Sequence, residues 1–221
     1  MKKSLLACIF ECLLLIVFMV QIAAALPLYR VTDPYSLPSG FNGGPFLVDP
    51  LPVGGTNTFL TFCIERNEYF SPGSSYYGSI EDAAIFGGVG GQVTPGRDPV
   101  DVRTKVLYGY YLDHYSTFTV DMYTGMQLAI WKIENEITDF SGYSTNIQTW
   151  ANDFYNNYSS GTPKYDIMAL NLWDYNYAPG QTYEEAHKIQ SMLVRVPEPG
   201  ILILLGIALS AVGLASRRRK S

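Results

Sequence analysis

The sequence predicts an α+β fold, a small β-sandwich or barrel-like sheet interrupted by a helical subdomain, with an N-terminal signal and a C-terminal transmembrane helix. Three observations predict it. Residues rich in β-branched and aromatic side chains alternate early (TNTFLTFCIE, 56–65) and apolar stretches return late (165–173, 189–196). Between them, residues 104–158 carry apolar positions at helical spacing. Both ends of the chain are apolar runs flanked by basic residues. With 48% hydrophobic, 16% charged and 14% aromatic residues, the 221-residue chain is the reverse of a disordered composition, and 3 Cys are too few for a disulfide scaffold.

The elements follow in chain order. Lys2 and Lys3, the apolar run Leu13–Ile22 and the small residues Ala23-Ala24-Ala25 form a secretory signal over residues 1–25. Leu26–Pro52, rich in Pro and Gly, holds one short strand around Phe46–Val48. Thr56–Glu65 is a strand with Phe59, Thr61, Cys63 and Glu65 on one face and Leu60, Phe62 and Ile64 on the other. Ser79–Phe86 reads as a short helix, with Ser79 as cap and Asp82 in the first turn. Gly87–Val100 is a Gly/Pro loop; its Gly-rich run lacks the Lys-Ser/Thr of a phosphate loop. Helices are expected over Thr104–Tyr115, Thr119–Ile137 and Thr145–Tyr158. In the second of these, Met122, Met126, Ala129, Ile130, Ile133 and Ile137 line up as one apolar stripe. Tyr165–Trp173 and Ile189–Val196 close the domain as strands. The domain organisation is therefore signal 1–25, ectodomain 26–196 and tail 197–221.

In the tail, Val196-Pro197-Glu198-Pro199-Gly200 leads into an apolar stretch and then Arg217-Arg218-Arg219-Lys220. A transmembrane helix over 201–216 spans about 24 Å, short of the hydrocarbon core but workable with snorkelling flanks. The basic cluster stays cytoplasmic, so the ectodomain is exported and held at the membrane. This ordered arrangement resembles the PEP-CTERM sorting signal of Gram-negative bacteria, with Pro197, Glu198, Pro199, Arg217, Arg218 and Arg219 as its signature. The resemblance implies an exosortase-type processing enzyme as partner, a cut near Pro197-Glu198-Pro199, an exopolysaccharide-producing host, and a final place on the cell surface or in the extracellular matrix.

The ectodomain carries 9 Lys+Arg against 18 Asp+Glu, which argues against nucleic acid and anionic lipid as partners. All 17 Tyr fall between Tyr29 and Tyr183, either as half-buried structural residues or as a binding surface. Cys8 and Cys12 leave with the signal, so Cys63 is the lone cysteine of the exported protein: buried and inert, paired between chains, or chemically engaged. A Cys–His nucleophile would have to use His114 or His187. Glu65/Glu68 and Glu134/Glu136 read as solvated faces rather than as glycosidase carboxylates. No cluster offers a metal site, and no cofactor is called for.

Phe62-Cys63-Ile64-Glu65 and, 64 residues on, Gln127-Leu128-Ala129-Ile130-Trp131 resemble the thioester domains of bacterial surface adhesins. That family's glutamine motif is usually Thr-Gln followed, after one residue, by Ala-Ile-Trp; Met126 replaces the Thr here. The resemblance implies an internal thioester between Cys63 and Gln127, formed with loss of ammonia and shielded from water by Phe62, Ile64, Ile130 and Trp131. It further implies adhesion by a single covalent capture of an amine- or hydroxyl-bearing partner, which is single-turnover acyl transfer and not enzymatic turnover. The alternative is a non-covalent, exopolysaccharide-associated matrix protein in which Cys63 is buried and inert.

Overall fold

The computed structural model describes residues 26–51, 57–86, 88–89, 96–174 and 187–196. The expected signal over 1–25 and the expected transmembrane helix over 201–216 lie outside the described residues. Among those described, no helix is long and apolar enough to cross a membrane.

Among the described residues, eight strands and three α-helices make up the fold. The strands are β1 (Leu28–Thr32), β2 (Phe46–Pro50), β3 (Phe59–Thr61), β4 (Ser75–Glu81), β5 (Ala83–Ile85), β6 (Arg97–Pro99), β7 (Ile167–Trp173) and β8 (Lys188–Arg195). The helices α1 (Val102–His114), α2 (Val120–Ile133) and α3 (Thr145–Asp153, continued by a π-helical turn over Phe154–Tyr158) sit between β6 and β7. The expected sheet interrupted by a helical group is therefore present, and the sheet takes the barrel-like rather than the sandwich form.

Six strands pair antiparallel in the order β3-β2-β1-β4-β7-β8, and β5-β6 forms a separate two-stranded ribbon. The large sheet curls into a half-barrel until its two ends meet. Just past β3, the Phe62 carbonyl accepts from Leu193 N–H at 3.0 Å and Ile64 N–H donates to the Ser191 carbonyl at 2.9 Å. Cys63 thereby stands opposite Met192. At β7 and β8 both faces of the sheet are covered, and these strands carry nearly continuous buried runs (Ile167–Trp173, Met192–Val194) without a solvent-facing alternate.

Alternation along the chain after β3 sorts its side chains as expected. Leu60, Phe62 and Ile64 join one core cluster with Tyr108, Met126, Ala129, Ile130 and Phe154. Phe59 and Cys63 join the other, with Val31, Val48, Leu128, Trp131, Leu170 and Met192. Helix α2 lies between the two clusters: Met122, Met126, Ala129, Ile130 and Ile133 of the expected stripe enter the first, Leu128 and Trp131 enter the second, and Ile137, past the helix end at Ile133, packs against the second. Thr119 caps it by accepting from Met122 N–H. Gly125 lets α3 pack close, since a Cβ there would come within 2.7 Å of Trp150 Cβ and 2.9 Å of Ala151 N.

The expected helix over Ser79–Phe86 is not formed. Ser79–Glu81 finish β4, paired with Ala169–Asn171 of β7, and Ala83–Ile85 are β5. Long-range pairing overrides the local capping signal. The buried Asn171 side chain accepts from Ile85 N–H at 3.2 Å and donates to the Ala83 carbonyl at 3.1 Å, supplying partners that a helix would have found within itself. Two strands were hidden by turn-forming composition. β1 occupies the middle of the sheet inside the Pro/Gly-rich opening, and β6 falls in the expected loop 87–100. The tyrosines are in large part packing residues: Tyr108, Tyr111 and Tyr123 are buried, while Tyr69 and Tyr115 are exposed.

Candidate functional site

Cys63 and Gln127 are brought together where the half-barrel closes. Cys63 is 2% exposed and Gln127 fully buried. Every polar atom of the Gln127 amide is engaged. Its Oε1 accepts from the backbone N–H of Cys63 and of Gly44, both at 2.9 Å. Its Nε2 donates to the Cys63 carbonyl at 2.8 Å. Two backbone N–H groups converging on one carbonyl oxygen in a dry site are the arrangement that stabilises negative charge developing on that oxygen.

The second donor comes from a segment the sequence reading did not single out. Gly43-Gly44-Pro45 leads into β2, with a cis bond between Gly44 and Pro45. A Cβ on Gly43 would fall 2.4 Å from Gln127 Cγ, and one on Gly44 would fall 2.7 Å from the Thr61 carbonyl oxygen. Both positions need glycine for close approach. A Gly-Gly-Pro run next to a strand was the available signal, but nothing local tied it to a residue 83 positions away.

Of the four residues expected to shield the pair, Trp131 packs in the cluster that holds Cys63, its ring 5.7 Å from that of Phe41. Phe62, Ile64 and Ile130 are fully buried in the other cluster. Leu128, Met192 and Phe41 pack in the cluster around Cys63 that Trp131 shares. Met126, in the place of the family's Thr, is buried on the side away from Cys63.

Charged side chains surround the pair. Lys188 Nζ donates to Glu65 Oε2 at 2.5 Å and to the Glu68 carboxylate, and the Glu65 and Lys188 side chains are almost wholly removed from solvent. Burial pushes the Cys63 thiol well up, the Glu68 and Glu65 carboxylates push it further, and Lys188 opposes them. Burial, then a hydrogen bond to Glu65 and its negative charge, raises Glu68 to about 9, against the pull of Lys188. The thiol is thus protonated at neutral pH and has a carboxyl group of unusual basicity near it.

Glu65 and Glu68 are therefore not a solvated face, and neither are Glu134 and Glu136. Glu134 accepts from Asp101 N–H at 3.2 Å, and Glu136 accepts from Arg66 N–H at 3.0 Å and Val89 N–H at 2.7 Å. These buried carboxylates tie the end of α2 to neighbouring loops, which a one-dimensional reading of charge does not reveal. His114 stacks on Tyr110 at the exposed end of α1, and His187 Nδ1 lies 3.2 Å from Asp174 Oδ2. Neither histidine is among the charged groups acting on Cys63.

Residues 195–220 match the PEP-CTERM protein-sorting motif. The motif implies exosortase processing, export and anchoring of a surface protein. No curated protein matches the chain. Among solved structures the chain is similar to the N-terminal thioester domain of a surface protein from Clostridium perfringens, at 14% identity and a TM-score of 0.47, covering 76% of this chain and 99% of that one. A cysteine-to-alanine mutant of that domain gives 12% identity and a TM-score of 0.46, covering 76% and 98%.

Proposed function

We propose that this protein is exported, retained at the surface by its tail, and captures one partner covalently through a thioester between Cys63 and Gln127. The observation that carries the reading is the clamp on the Gln127 amide. Its oxygen sits between two backbone donors and its nitrogen is held by the backbone of the very cysteine that would attack it. Attack of the Cys63 sulfur on the side-chain carbonyl carbon places the developing charge on Oε1, where Gly44 and Cys63 N–H receive it. A single such donor is worth about 10²–10³ in rate. The C–N bond then breaks, and the thiol proton leaves with the amide nitrogen as ammonia. Burial keeps water from the product until an amine or hydroxyl takes the acyl group, leaving Gln127 joined to the partner and Cys63 as a thiol. Each molecule acts once. The partner class, the outer-surface location and the cut within Pro197-Glu198-Pro199 belong to this proposal, as does the domain division at 25 and 196.

The test is the intact mass of residues 26–196, with Cys63→Ala and Gln127→Ala as controls. The proposal expects the unaltered protein alone to be lighter by one ammonia, and methylamine to bring it to the mass of an adduct. A full mass with no adduct in a fresh, reduced preparation overturns it. Gln127 would then be a structural clip joining Gly44 to the segment that follows β3.

A further inference from the structure

A cavity of about 170 Å³ opens beside the site, lined by Phe41, Gly43, Glu68 and Gln190 among others. Its Gly43 wall is in van der Waals range of the Gln127 side chain, because no Cβ intervenes. Glu68 belongs both to this wall and to the buried ion cluster: its carboxylate meets Lys188, which also holds Glu65. It is also the foremost charged group acting on Cys63. Gln190, on the same wall, donates to the Glu65 carbonyl at 3.0 Å and so fixes the backbone beneath the cluster. Glu68 and Gly43, the residue packed against Gln127, thus line one and the same cavity.

Opening a thioester here has a specific difficulty. The leaving sulfur would depart as a thiolate into a dry site, next to carboxylates, where the charged form is strongly disfavoured. Departure needs a proton. We propose, resting on the thioester reading above, that Glu68 is the proton donor and acceptor of the capture step and that the cavity it lines is the entrance for the nucleophile.

The step balances. The amine nitrogen bonds to the carbonyl carbon of residue 127, and the carbon–sulfur bond breaks with its electron pair going to sulfur. The Glu68 carboxyl proton passes to that sulfur, forming the Cys63 thiol. The Glu68 carboxylate takes the surplus proton from nitrogen and is restored. Glu68 can donate at neutral pH because burial and Glu65 hold it protonated up to about 9. The titratable and charged groups facing it are Glu65 and Cys63 from the segment after β3 and Lys188 from β8, with Asp33 and Tyr69 on the same cavity wall.

The experiment uses the full-length protein in detergent and hydroxylamine as nucleophile, which stays neutral across the working range. Peptide mass spectrometry first establishes the cross-link between Cys63 and Gln127, then follows conversion of Gln127 to its hydroxamate. The unaltered protein is expected to react more slowly as pH rises through about 9. Glu68→Gln is expected to react about 10²-fold more slowly with a flat profile. Asp113→Asn, outside the cavity and paired with Lys164 at the surface, keeps the original rate and profile. Equal rates and profiles for Glu68→Gln and the unaltered protein overturn the role of Glu68 and leave the thioester standing. Absence of the cross-link in the unaltered protein overturns both. Where Glu68→Gln does not fold, the profile of the unaltered protein decides: a rate that is level or rising through about 9 overturns the role.

Discussion

Gln127 is an uncharged side chain in the middle of a helix, yet it holds two chain segments that are far apart in sequence. Its amide joins the Gly44 loop to the segment after β3 at Cys63 with three hydrogen bonds of 2.8–2.9 Å, all shielded from solvent. Such a site tolerates almost no added volume. Gly43→Ala puts a methyl group 2.4 Å from Gln127 Cγ, and the nearest relief is to turn the amide away from its donors. The expected outcome is a folded protein with its full calculated mass, its ammonia loss abolished as in Gln127→Ala. Circular dichroism and intact mass together check this. A Gly43→Ala protein that still lacks one ammonia would show that the amide geometry is not what the reaction depends on.

At the scale of elements, the ribbon β5-β6 depends on one buried side chain. Asn171 satisfies the Ile85 N–H and the Ala83 carbonyl, and its own Oδ1 also accepts from Ser191 Oγ at 2.6 Å. Asn171→Ala leaves buried backbone polar groups unpaired, at about 1–3 kcal/mol for each group stranded. Urea unfolding is expected to show a loss of about 2–4 kcal/mol, and hydrogen exchange to speed up at residues 83–85. A loss below about 0.5 kcal/mol would mean that β5 is held by its other contacts. The same residue explains why a helix over Ser79–Phe86 fails. The capping pattern is real, but β7 pairs with Ser79–Glu81 and β6 with Ala83–Ile85.

Across the whole molecule, several carboxyl groups are buried with raised affinity for protons. Burial, with neighbouring carboxylates, puts Glu68 at about 9, Glu134 at about 8 and Asp98 at about 6. Each binds its proton more tightly folded than unfolded, so the folded state holds more protons between the ordinary carboxyl range and these values. Their stabilisation is therefore complete below the unfolded pKa and is lost as pH rises through the folded one. The melting temperature of residues 26–196 is expected to fall from about pH 5 to about pH 8. A flat or rising melting curve over that range would contradict the protonated state assigned to these groups.

What the sequence determined alone is what local patterns carry. Alternation from Phe59 to Glu65 sorted Cys63 from Phe62 and Ile64, because a strand's side chains alternate wherever it pairs. Helical period placed Gln127 and Trp131 one turn apart, and a short ordered motif identified the tail. Only the tertiary structure decided the rest. The closure of the half-barrel at Cys63, the second donor from Gly44 and the Glu65–Lys188–Glu68 cluster join residues more than 120 positions apart at the widest, Cys63 to Met192 and Glu65 to Lys188. Of the four glutamates read as solvated faces, Glu65, Glu134 and Glu136 are buried and Glu68 is half-buried for the same reason, since a carboxylate's surroundings depend on which distant backbone N–H or lysine folds against it. No local spacing encodes such meetings, because they follow from the global path of the chain.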